Sequence, residues 1–226
     1  MAEMHGRDLT RRHAALGLLV ALPLSFYLAS THDGSQAISA GGIGMAFSVS
    51  GATLFSVLSS RQVDQRLVLG GYRPAELLIG RLLFLGPLGL VIAAGFTVLM
   101  STISHPQRAW VLGLGVGMVA LQSVPFGLAV GSALSRELEG TLVLIGVVGM
   151  QLAVGVTSAV SKVLPFYGPR RLIEASLHHH GGVVGPLLQT GLYGLVLLLV
   201  ARVFMDRRVA IQRHGPTDPA IGTDVG

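Results

Sequence analysis

Three consecutive histidines, His178-His179-His180, are the densest cluster of potential metal ligands in the chain, because neutral imidazole binds zinc or copper. Neighbouring residues on a helix point about 100° apart, so three in a row converge poorly on one ion without ligands from elsewhere. Solvated histidines, or histidines facing lipid headgroups, are the simpler reading. With no cysteine anywhere, disulfides, Cys-based zinc sites and thiol nucleophiles are excluded. There is no HExxH pair, and no carboxylate lies inside an apolar run. That argues against an intramembrane metallohydrolase and against a proton relay. The one lysine, Lys162, follows Ala159-Val160-Ser161 rather than the glycine-rich turn of a phosphate-binding loop. No cofactor is therefore expected in this chain, and any ATP and Mg2+ it depends on must sit on another one.

What remains is polar chemistry without a nucleophile. Gln122 and Gln151 fall near the middle of apolar runs, where an amide either bonds a neighbouring helix or lines a path for a hydrophobic substrate. Glu137 and Glu139 begin another run and either cap it or meet a partner. The longest polar interruption is residues 61–81, RQVDQRLVLGGYRPAELLIGR. Helical spacing puts Val63, Leu67 and Gly70 on one face of its first part, with Gln62, Gln65 and Arg66 turned elsewhere. Gly70-Gly71 can take positive φ and end that helix. After Tyr72 and Arg73, Pro74 suits a first helical position, and Glu76 puts a carboxylate at the positive end of the new dipole. The segment reads as a helix on the membrane face, hinged by glycines. It serves either as a lipid anchor held by arginines or as a docking element for a partner.

The elements that must position these residues are apolar. The 226 residues are 51% hydrophobic and 12% charged, with a mean hydropathy of +0.67. Several continuous runs reach the roughly 20 residues needed to cross hydrocarbon. Their length and lack of alternation favour an all-α bundle over a β-barrel. Six spans are expected, at 14–30, 37–59, 82–102, 111–134, 141–160 and 186–205. A short helix over 61–72 lies between the second and third, and one or two short outer helices over 163–180, lying at the outer surface or re-entering it, precede the sixth. Residues 1–205 form one membrane domain, and 206–226, rich in Gly, Pro and Asp, form a disordered tail. A signal-peptide reading of the first run fits loosely, but that run is long for an h-region. Small residues recur at Gly42, Ala46 and Ser50, and at Gly113/Gly117 and Gly127/Gly131, marking faces for close helix approach. With both termini inside, twelve of the 16 Lys and Arg residues fall on the inner side and four (Arg108, Lys162, Arg170, Arg171) on the outer. This bias sets the orientation, termini cytoplasmic. The net charge of +5 flanks apolar runs rather than forming a basic domain, so no nucleic-acid partner is expected.

The order of these parts resembles the membrane subunit of type-2 ABC exporters. The residues that carry the resemblance are Leu67-Val68-Leu69-Gly70-Gly71-Tyr72-Arg73-Pro74-Ala75-Glu76, with the short turn at 135–142 and the proline-bearing segment 164–177 in matching places. The resemblance implies a permease subunit in a bacterial plasma membrane, with a coupling helix driven by separate ABC ATPase subunits. It also implies a second permease copy, paired through glycine-rich helices, and an amphiphilic or hydrophobic substrate such as a drug-like natural product or lipid. ATPase coupling then falls to Asp64, Arg66, Leu67, Gly71, Tyr72, Arg73, Glu76, Glu137 and Glu139, and the substrate path to Gln122 and Gln151. The chain departs from that pattern in its short N-terminal arm and in the His178–His180 triplet. A non-transporting scaffold with the same docking loop, and a metal-dependent membrane enzyme built on the histidines, are the alternatives.

Overall fold

The computed structural model describes residues 17, 19–30, 34–134, 136–154, 158–178 and 182–213, with backbone alone at 35 and 208–213. The expected N-terminal arm, His179, His180 and the end of the tail lie outside the described residues. Among those described, the regular elements are helices. They are α1 Leu19–Ala29, α2 Gly34–Ser59, α3 Arg61–Leu69, α4 Pro74–Ser104, α5 Ala109–Ala133, α6 Glu137–Ala153, α7 Tyr167–Ser176 and α8 Val184–Arg213, with a 3-10 turn at Ser161–Val163. Helices α2, α4, α5 and α8 are long and apolar enough to cross a membrane, which makes this a multi-pass helical membrane protein. The described part of α1 is shorter than a span, and α6 has 17 residues, about 25 Å of rise against a hydrocarbon core of about 30 Å.

Several boundaries differ from the hydropathy reading. The span expected at 82–102 is the inner part of one 31-residue helix that starts at Pro74. The one expected at 141–160 begins at Glu137 and stops at Ala153. Its apolar sequence continues, but Val154 turns extended, and an arginine from α7 takes the free carbonyls. The short helix expected over 61–72 ends at Leu69. The last helix runs on to Arg213, so the first part of the supposed tail is helical, with Arg202 and Asp206 paired one turn apart at 3.8 Å.

Helix α5 is the centre of the bundle, with α2, α4, α7 and α8 packed round it. Its glycines explain how closely they come. A Cβ on Gly127 would lie 2.5 Å from the Ser50 carbonyl oxygen and 2.7 Å from Thr53 of α2, and one on Gly115 would lie 2.8 Å from Ile173 of α7. A Cβ on Gly42 would meet the same Ile173 at 2.7 Å. Gly42, Gly115 and Gly127 therefore let helix backbones approach within the chain. Gly113 and Gly117 differ: they border a groove of about 310 Å3 between α4 and α5, with Leu90 and Ala94 opposite. Helices α4 and α8 turn Leu83, Phe84, Val91, Leu188, Leu192 and Leu195 outward, as lipid-facing helices do.

Helix α7 does not lie on the rim. Six of its ten residues are buried. The Ser176 carbonyl accepts from the Arg108 amide at 3.1 Å, while Phe166 at the other end stands edge-on to Phe126, ring centroids 5.5 Å apart. Phe126 is about 27 Å along α5 from Arg108, so the segment re-enters the bundle beside α5. The 3-10 turn beneath it is held by α8. Tyr193 donates to the Val163 carbonyl at 2.8 Å and Gln189 to the Lys162 carbonyl at 3.1 Å. Non-helical backbone at such depth needs protein partners of this kind.

Candidate functional site

The strongest candidate is the end of the bundle where α2 finishes, α3 crosses and α4 begins. The crossing is built locally. The amides of Gly70, Gly71 and Tyr72 bond back to the carbonyls of Arg66, Val68 and Leu67 at 2.9, 3.1 and 3.1 Å, which closes α3. Gly71 has φ +100, a conformation that glycine adopts without a steric penalty. The chain is then extended through Arg73. Glu76, in the first turn of α4, accepts from the Arg73 amide at 3.1 Å, satisfying one donor that a helix start leaves free.

No residue of α3 is buried, yet the helix is fastened at two points. Arg81 of α4 pairs with Asp64 at 2.6 Å, the side chains 11% and 19% exposed respectively, and also donates to the Ser60 hydroxyl. Arg61 donates to the carbonyls of Leu134 and Gly131, the last of α5, where a helix end offers unpaired acceptors and partial negative charge. Burial pushes the Arg61 guanidinium below its ordinary pKa, and the charge of Glu137 opposes that shift. The face turned to the protein thus carries Arg61 and Asp64, with Leu67 and Val68 half-buried, whereas Val63 is exposed. The expected apolar face is corrected accordingly. An ion pair and a helix-end cap orient α3 more strongly than two aliphatic side chains do.

The site residues named from sequence separate on this geometry. Asp64 is turned toward α4 and pairs with Arg81. Arg66, Gly71, Tyr72, Arg73 and Glu76 are exposed, and Leu67 is half-buried. Beside them, Gln62, Gln65 and Leu69 also face outward, with Leu69 86% exposed. Glu137 and Glu139 are exposed in the first turn of α6 at the same end. Arg136 reaches Glu139 at 3.9 Å, an exposed pair that contributes little. A groove of about 370 Å3 between α3 and α4 is lined by Asp64, Tyr72, Glu76, Arg81 and Phe84.

No family model matches this chain, and no curated protein matches it. Its chemistry must be read from its own residues.

Gln122 and Gln151 lie apart from that end. Both are buried, at 2% and 1% exposure. The Gln122 Nε2 and both polar atoms of the Gln151 side chain find no hydrogen-bond partner. Among the described residues these atoms bond to no neighbouring helix, and the cavity at Gln151 is about 10 Å3. His178 is exposed, its Nδ1 3.1 Å from the Glu174 carbonyl oxygen. Among the described residues no group of three His, Asp or Glu is placed to hold a metal ion.

The site residues read from sequence do not include Arg61, Arg81 and Arg170, which tie elements together. Arg170 donates to the Val154 carbonyl at 2.8 Å and to that of Gln151, and so does for α6 what Arg61 does for α5. For Arg61 and Arg81 the available signal was position, since each stands at an end of the polar interruption 61–81, beside an apolar run.

Proposed function

We propose that this chain is the permease subunit of a type-2 ABC exporter in a bacterial plasma membrane. It has six spans and cytoplasmic termini, with α3 as the helix through which separate ATPase subunits act. Two copies, or one copy with a related chain, complete the transporter. ATP and Mg2+ are bound by the ATPase subunits. The substrate is amphiphilic or hydrophobic, consistent with spans that carry no charged side chains at mid-depth.

The observation that carries this reading is the mounting of α3. None of its residues is buried, yet it is tied through Asp64 to α4 and through Arg61 to the end of α5. A helix that only anchored the protein to lipid would need neither tie. With both, a push on Gln62, Gln65, Arg66 or Leu69 reaches two long helices directly. Gln122 and Gln151 become polar stations of a path only after the helices around α5 separate.

The test is co-purification of an ATPase subunit with the tagged chain from its native membrane. Arg66→Glu combined with Leu69→Glu is expected to abolish association while leaving the melting profile unchanged, because both side chains point outward. Retained association with that double variant, or a purified complex without any nucleotide hydrolysis, overturns the proposal. The second outcome favours a docking scaffold.

A further inference from the structure

The cavity between α2, α5, α6 and α7 is small, about 10 Å3, and its wall includes Ser39, Val119, Gln151, Phe166, Arg170 and Ile173. Two of the lining residues carry polar atoms with no hydrogen-bond partner: the Gln151 Nε2 and Oε1, and the Arg170 Nε. Gln151 is 1% exposed. Apolar voids of this size stay dry, but polar groups in a space of roughly 10–15 Å3 can hold one water molecule when two or more of them point at it.

We infer that one ordered water occupies this cavity and links Gln151 of α6 to Arg170 of α7. Water can accept from the Arg170 Nε–H while donating to the Gln151 side-chain oxygen. Turning the amide over exchanges donor for acceptor and leaves the site equally served. Arg170 is fixed in place, since its Nη1 is committed to the carbonyls of Gln151 and Val154, while its Nε has no partner. An anion is disfavoured. The space, about 10 Å3, suits a single water, and the carboxylate of Glu174 stands one turn along α7. The water completes the seat of the re-entrant helix: one end of α6, the middle of α7 and the small-residue face of α2 at Gly42 and Ala46 meet there.

The experiment turns on a sign. Gln151→Met keeps the length of the side chain and removes its polar atoms. If the cavity is hydrated, the variant strands the water and the Arg170 Nε–H, and the unfolding midpoint falls by about 3 °C or more. If the cavity is dry, the same change removes two unsatisfied buried atoms, and the midpoint rises. A rise overturns the inference. Density in an unmodified protein structure at a resolution that shows ordered water gives the second reading, independent of how the variant folds. A single peak within hydrogen-bond distance of both Gln151 and Arg170 supports the inference. An empty cavity, or a peak replaced by bromide after exchange, overturns it.

Discussion

Neutralising Asp64 tests whether α3 is tethered or merely lies against the bundle. At 2.6 Å, and with an effective dielectric near 20, the gross attraction between Asp64 and Arg81 is about 6 kcal/mol. Desolvation of both groups takes back much of that. The small exposures put the pair between an exposed one, worth about 0–1 kcal/mol, and a fully buried one, whose rupture costs about 3–5 kcal/mol. Asp64→Asn should therefore destabilise the protein by about 2 kcal/mol, lowering the unfolding midpoint by about 5 °C. Arg81→Met should do the same. The double variant should lose about 2 kcal/mol less than the sum of the two, because the second change removes a partner that is already gone. The assay is thermal unfolding in detergent or nanodiscs, followed by the loss of monodisperse protein in size-exclusion chromatography. ATPase association is scored in parallel, where the pair-breaking variants should lose coupling and the exchange Asp64→Arg/Arg81→Asp should recover part of it. Strict additivity of the two single changes, or a midpoint for Asp64→Asn within about 1 °C of the parent, refutes the tether.

Arg61→Met leaves the last carbonyls of α5 without their charged donor and should cost about 1.5–3 kcal/mol in the same melting assay. Gly127→Ala places a methyl against the Ser50 carbonyl and should destabilise by about 1–3 kcal/mol. Gly117→Ala meets Leu90 at 3.7 Å and should be neutral, so similar losses for the two would contradict the packing described. Gln107 is exposed in the turn before α5, and the chain has no cysteine. A membrane-impermeant thiol reagent added outside intact cells should label Gln107→Cys under the proposed topology. The parent chain is the control, and labelling confined to inverted vesicles would reverse the orientation.

Local features were legible in the sequence and distant ones were not. The close of α3, the positive φ at Gly71 and the restart at Pro74 with Glu76 depend on residues within a few positions of one another, and all stand where the residue types put them. The direction of Asp64 depends on Arg81, across a turn in another helix, and helical spacing alone could not predict it. The end of α6 was misplaced for a similar reason. Hydropathy continues past Val154, while the arginine that takes the terminal carbonyls comes from α7. Glycine spacing located faces of close approach but not their partners, because Gly42 and Gly127 look the same whether they meet their own chain or a second copy. The buried amides were found as polar residues at depth, but their lack of partners belongs to three-dimensional packing.

The central position of α5 also bears on how the protein is made. Helices α2 and α4 leave the ribosome before it, but α7 and α8, which cover its other side, come after it. When α5 first enters the bilayer, Gln122, which later lies beside Gly194 of α8, and Gly115, which later receives Ile173 of α7, have only lipid or the insertion machinery as neighbours. A buried amide in hydrocarbon is costly, so α5 must be retained at the insertion site or shielded there until the last helix arrives. A chain cut short before Val184 would leave that amide without the α8 backbone that packs beside it.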